Sequence, residues 1–359
     1  MRLSSVSRVL IVLICGFLLG AAAFAVAFEP QAAVVAGETT RPTAAMTVPS
    51  TTSTVPSTTT RPPSTTTTDP PRGRLVIHGV GDVNTDVSYI PALAENGHAY
   101  AWEGLDGLFL EDDLTVINLE CAPSDLGVAL DKTFIFRCDL DSLPVMAAAG
   151  IEVANLGNNH SGDYGKEALV DGRAQVGAAG IQPVGAGKDA AEASKPAVVE
   201  VNGWKVAVVG FGGVYPSLDW FATDDRPGMA DGDTVETMVA AVRAADEVAD
   251  LVVVTIHWGV ELEMEPTDAD RRAAEAMIQA GADVIFGHHA HRLQRLEVVD
   301  GAPVAWNLGN FVWPNFSVPG STTAVARVEV APDGEMTACL LPAFISAPGR
   351  PELTGDDEC

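Results

Sequence analysis

Positive charge is what this sequence most lacks: 21 Lys and Arg stand against 48 Asp and Glu, a formal net charge of −27. A nucleic-acid surface needs clustered cations to neutralise phosphates, so that class of partner is excluded. An anionic ligand must be held by local positive charge instead, and bound metal ions are one way for an acidic chain to supply it. Cysteine is sparse as well, with five in 359 residues. Cys15 sits inside an apolar run and reads as filler, which leaves four that allow three connectivities. Internal repeats are missing. What is abundant is apolar residue, 47% of the chain, ample for a packed core.

One long uncharged apolar run, 9–28, follows Arg2 and Arg8. Its length matches a bilayer span of about 30 Å, while Ala25-Val26-Ala27 resembles a signal-peptidase site. The reading is therefore a membrane anchor or a cleaved signal over 1–28, with the flanking Arg residues placing the rest outside the cytoplasm, membrane-anchored or secreted. Residues 29–73, rich in Thr, Pro and Ser, cannot bury enough surface to order themselves and read as a stalk. A domain over 74–346 and a tail over 347–359 follow.

Within 74–346 short apolar runs alternate with Ala-rich stretches of helical spacing, the rhythm of an α/β layered domain. Strands are predicted over 75–80, 114–119, 152–156, 205–209, 251–256, 283–286 and 303–307. Helices are predicted over 142–149, 166–179, 234–248 and 268–280. The alternation over 322–345 around Asp333-Gly334 predicts a hairpin.

Polar residues able to bind metal collect just after these runs, where layered α/β sheets bind ligands. They are Gly81-Asp82-Val83-Asn84, Asn118-Leu119-Glu120, Asn158-Asn159-His160, His257-Trp258-Gly259 and Gly287-His288-His289-Ala290-His291. Five of the seven histidines fall in three of these motifs. In this order, and with Lys132-Thr133-Phe134, Arg137 and Asn307-Leu308-Gly309-Asn310-Phe311, they resemble the CapA family of poly-γ-glutamate capsule-synthesis proteins. The resemblance covers residues 75–312.

That resemblance implies a four-layer α/β/β/α sandwich of the metallophosphoesterase-like (calcineurin-like) kind, with two divalent metal ions, Mn, Fe or Zn. It implies Asp82 on one metal, Glu120 between the two, Asn159 and His257 on the other, and His289 and His291 closing the site. His160 would then stand beside the scissile bond as proton donor. The partners implied are an anionic cell-surface polymer or its precursor, capsule synthesis and export proteins, and the membrane through the N-terminal segment. The activity is left between a polymer synthesis, export or anchoring role, a metal-dependent hydrolase, and a polymer-binding scaffold. Two positions depart from the hydrolase pattern: Asn84 stands where a His is usual and Glu120 where an Asp is usual. Ala290 stands where relatives often carry Pro.

Other residues have plain readings beside functional ones. His288 competes with His289 as ligand, although the His-x-His spacing pairs His289 with His291. Asn84, Asp86, Asp163 and Glu261 follow the motifs closely enough to orient imidazoles, or are ordinary carboxylates and amides. Arg137 would fork onto an anionic substrate or make an internal ion pair. Asn310 is a substrate contact or a turn residue, Trp258 is packing, His78 belongs to the core and His98 to a solvated loop. Cys121 pairs naturally with Cys138, and Cys339 with Cys359.

Overall fold

The computed structural model describes residues 71–355. The expected anchor over 1–28, nearly all of the stalk and the last four residues, Cys359 among them, lie outside the described residues. Among the described residues no helix is long and apolar enough to cross a membrane.

In chain order the strands begin with β1 Leu75–Val83, β2 Leu114–Leu119, β3 Val153–Asn155, β4 Gln182–Val184, β5 Ala186–Gly187 and β6 Ala197–Val201. They continue with β7 Trp204–Gly212, β8 Gly228–Met229, β9 Leu251–His257, β10 Val284–His288 and β11 Leu296–Val299. The last are β12 Ala302–Ala305, β13 Asn310–Val312, β14 Thr322–Val330, β15 Met336–Ala347 and β16 Arg350–Leu353. Two sheets carry most of them. The first has the order β16-β15-β14-β1-β2-β3-β4 with β13 also paired to β1, and the second β11-β12-β10-β9-β7-β6. Strands β5 and β8 form a small ribbon.

The central strands β1, β2 and β9 are buried at every position, which is why their sequences are continuous apolar runs rather than alternating ones. Edge strand β6 alternates buried with more exposed residues instead. Between the sheets lies one core in which Ile77, Val116 and Val153 of the first meet Val206, Val253 and Phe286 of the second. Gly79 has to be bare there, because a Cβ would sit 2.6 Å from the Phe286 ring.

Helices α1 Ser142–Ala148 and α2 Lys166–Ala178 cover the outer face of the first sheet through Leu143, Met146, Leu169 and Val176. Helices α3 Val235–Asp246 and α4 Asp268–Gln279 cover the second through Met238, Val242, Ala274 and Met277. The four-layer α/β/β/α sandwich expected from the resemblance is thus present. A capping box starts α4: Thr267 Oγ1 accepts from Asp270 N, and Asp270 Oδ2 accepts from Thr267 N. The tail hairpin forms as β14 and β15, with Gly334 taking the left-handed turn position. Strand β7 runs past the predicted 205–209 to Gly212, because glycines 210 and 212 pair with β9 up to His257 without being apolar.

Candidate metal centre

Parallel pairing brings the carboxyl ends of the central strands to one rim. Asp82 on β1 lies between Asn118 of β2 and Asn310 of β13, while His257 ends β9 directly opposite His288 of β10. Gly81 is dictated by close approach, since a Cβ there would collide with the Gly309 carbonyl. That contact lets Asp82 N donate to Gly309 O at 2.9 Å. The loop after β10 is shaped by His289 and His291, which hold left-handed φ values of 91° and 52°. Non-glycine residues adopt such φ at a cost that clusters at functional sites.

The side chains converge. Asp82 Oδ2 lies 3.3 Å from His291 Nδ1 and accepts from His289 N. Asp82 Oδ1 accepts from Asn118 Nδ2 at 2.9 Å, and the same amide nitrogen is 3.1 Å from His257 Nδ1. Glu120 Oε1 has three imidazole nitrogens around it: His257 Nε2 at 3.5 Å, His160 Nε2 at 3.9 Å and His291 Nε2 at 4.0 Å. His257 Nε2 also meets Asn159 Oδ1 at 2.8 Å and His289 Nδ1 at 3.1 Å. Two sets of three, Glu120–His257–His289 and Asp82–Glu120–His291, each offer ligand atoms within 4.8 Å of one another, and they share Glu120. Glu261 makes a third with His289 and His291.

Electrostatics follow from burial. Burial raises the Glu120 carboxyl well above its usual range, helped by the charges of Asp82 and Glu261. For Asp82, burial acts upward but the hydrogen bond and charge of His291 outweigh it, so its pKa falls. His291 moves up for the reciprocal reason: burial opposes its charge, and Asp82 more than compensates. Burial, then the charge of His289, holds His257 well below its usual value. Burial brings both His288 and His289 down to about 4. The lowered pKa values of His257 and His289 favour the uncharged imidazole that metal ligation needs.

The other predicted residues sort clearly. His160 hydrogen-bonds through Nδ1 to Asp163 Oδ2 at 2.7 Å, and Asp163 is ion-paired with Lys132, so the imidazole Nε2 is turned to Glu120. His288 is completely buried, bonded to Thr255 Oγ1 at 3.0 Å, with Nδ1 3.8 Å from Asp82. Asn310 Oδ1 holds His291 Nδ1 at 2.8 Å, which makes it a positioning residue for that ring. Asn84 Oδ1 accepts from Asp86 N at 2.8 Å while its buried Nδ2 has no partner, so the oxygen that would ligate is already in use.

Arg137 is engaged within its own region. Its guanidinium donates to the carbonyls of Asp125 and Leu126 and lies 3.6 Å over the Tyr164 ring, contacts that fasten a loop. Sequence reading named Asn118 within a motif without giving it a role; near the end of β2 it bridges Asp82 and His257. Sequence reading missed Trp313, whose ring is tilted against that of His291 at 4.9 Å, and Phe136, 4.4 Å from the His160 ring. Among the disulfides, Cys121–Cys138 is formed. Cys339 is disulfide-bonded, and its expected partner lies outside the described residues.

These residues fit divalent cations. Glu120 is fully buried and neither of its oxygens has a hydrogen-bond partner. Burying a carboxylate without compensation costs several kcal/mol. A carboxylate shared by two imidazole-bearing sets is a donor arrangement that bound cations would satisfy.

Residues 76–315 match the family described as bacterial capsule synthesis protein PGA_cap. The chain is 35% identical over 184 residues to the PGA biosynthesis protein CapA of Bacillus subtilis (strain 168), covering 51% of this chain and 48% of that protein. It is 31% identical over 218 residues to the capsule biosynthesis protein CapA of Bacillus anthracis, covering 60% and 53%. A probable polyglutamine synthesis accessory protein of Mycobacterium tuberculosis is 33% identical over 210 residues, covering 56% and 55%. The chain thus spans about half the length of the curated relatives it matches. Among solved structures, a hypothetical protein from Thermus thermophilus superposes with a TM-score of 0.47 at 16% identity, over 75% of this chain and 99% of that one. The NAD nucleotidase of Haemophilus influenzae does so with a TM-score of 0.42 at 13% identity, over 79% and 54%.

Proposed function

This chain belongs to the bacterial capsule synthesis protein family PGA_cap, and we propose that it serves production of an anionic cell-surface polymer of the poly-γ-glutamate type. Its strand-end cluster holds two divalent cations, and the polymer or its precursor is handled there. The observation that carries this reading is Glu120, a fully buried carboxylate with no hydrogen-bond partner and three imidazole nitrogens within 4.0 Å. In a chain of net charge −27, cations supply the positive charge an anionic ligand needs.

Bound cations of this kind polarise an anionic oxygen and acidify a water. Asp82, Glu120, Asn159, His257, His289 and His291 are the residues that would hold them. Asp163 fixes His160 through Nδ1, leaving Nε2 to give or take a proton at the rim. That arrangement favours hydrolase chemistry on a phosphoester or amide over a purely binding role. The apolar run at 9–28 and the Thr/Pro/Ser-rich stalk after it support placement outside the cytoplasm, anchored or secreted. The Cys121–Cys138 disulfide suits an oxidising compartment.

The test is direct. Full-chain protein should retain about two equivalents of Mn, Fe or Zn, and with Mn should slowly hydrolyse an aryl phosphate or phosphodiester. Asp82→Ala should abolish that turnover. Unchanged turnover in the variant would retire the catalytic part, and metal retained without any turnover in the parent would leave a binding scaffold.

A further inference from the structure

We propose that Arg292 is the specificity-determining residue of this site, gripping an oxyanion group of the substrate next to the one held in the cation cluster. The proposal rests on the reading above that the site handles an anionic polymer or its precursor.

Several other cations of the chain are already engaged. Lys132 is ion-paired with Asp163, Arg226 with Asp219, Arg271 with Glu265 and Glu297, and Arg295 with the same two carboxylates. Arg137 is held by loop carbonyls and the Tyr164 ring. Arg292 differs: among the described residues it pairs with no carboxylate, and its one hydrogen bond runs from Nη1 to the carbonyl of His291 at 2.6 Å. An unpaired guanidinium beside the site is conspicuous in a chain with 48 acidic residues. Its other donors are neither bonded nor buried.

Placement ties it to the cluster. The bond to the His291 carbonyl fastens the guanidinium to the loop that His289 and His291 bend through left-handed φ. Gly320 lies close against the guanidinium: a Cβ there would be 3.3 Å from Arg292 Nη1 and 3.8 Å from Asn310 Nδ2. Asn310 in turn holds His291 Nδ1 at 2.8 Å, and His291 stands against Asp82 and Glu120. From cluster to guanidinium the order is His291, Asn310, then Gly320, whose carbonyl accepts from Asn310 Nδ2 and which lies against Arg292. A planar fork held this way, with free donors, matches the paired oxygens of a carboxylate or a phosphate. A polymer carboxylate and a precursor phosphate share that chemistry.

The experiment uses full-chain protein loaded with Mn, titrated calorimetrically with an oligomer of γ-linked glutamate and, separately, with inorganic pyrophosphate. Arg292→Gln should bind one of the two probes about tenfold more weakly, with parental metal content and a shallower salt dependence. Arg292→Lys should recover part of the loss, because it restores charge but not the fork. Weakening confined to the oligomer assigns the group to a carboxylate, and weakening confined to pyrophosphate assigns it to a phosphate. Binding of both probes by Arg292→Gln within about twofold of the parent would overturn the proposal. If His257→Ala loses binding in that case, the functional reading survives without Arg292. A metal-loaded parent that binds neither probe would sink both.

Discussion

The two sheets bring different chemistry to the rim. The first supplies the acids and amides, Asp82, Asn118, Glu120, Asn159 and Asn310, whereas the second supplies His257, His288, His289 and His291. His160 is the one imidazole that crosses this division, and it is bonded to Asp163 of its own loop. Asn84, where a histidine would have balanced the first sheet, has its oxygen bonded to the backbone. The two ligand sets that share Glu120 form only when the sheets dock, because each joins acids of the first sheet to histidines of the second.

The comparison breaks most completely at Glu120, the residue common to both ligand sets. Glu120→Ala is expected to empty both positions, while His257→Ala, which belongs to one set, should lose about half the metal. Plasma mass spectrometry of dialysed protein measures the difference, and equal losses would show that the second sheet matters as much as the shared acid. Gly79→Val attacks the docking itself. Its Cβ would meet the Phe286 ring at 2.6 Å, so the folded state should lose about 3 kcal/mol by denaturant titration. Metal retention should fall with it, and a variant of parental stability would mean the sheets can part locally without loss.

The smallest effect sharpens the contrast from outside the rim. Glu152 accepts from Thr115 N, and burial, with the charge of Asp112 adding to it, raises its pKa from 4.5 to about 7. The folded carboxyl therefore holds its proton more tightly than the unfolded one. Its contribution is fully present below pH 4.5 and is lost as pH rises to about 7. Glu152→Gln should flatten the decline of the denaturation midpoint across that window and leave the metal content at parental level. A midpoint whose pH profile is unchanged would show that Glu152 is not the group titrating there.

Much of this was legible in the sequence for one physical reason. A strand buried on both faces must be a continuous apolar run, and a ligand-binding α/β sheet puts its polar residues just past the end of such runs. That exposed the central strands and Asp82, Glu120, His257, His289 and His291. The strand β13 was not legible, because three residues give no periodicity and its pairing with β1 is set by the Gly81–Gly309 contact. Arg137 and Arg292 show the remaining limit. Both are arginines close to site motifs, and only tertiary placement decides that one finds carbonyls and a ring while the other is left with free donors.

The Cys121–Cys138 bridge begins one residue after Glu120. It closes a loop further tied by Leu130 N to the Asp163 carbonyl and by Phe136 N to the Asp163 carboxylate. Leu126, Val128, Leu130 and Phe134 are exposed on it. The loop is thus clamped at its root and along its length. Leu130 faces Ser217, Asp219 and Trp220 across a groove, so the tied loop is one wall of that groove.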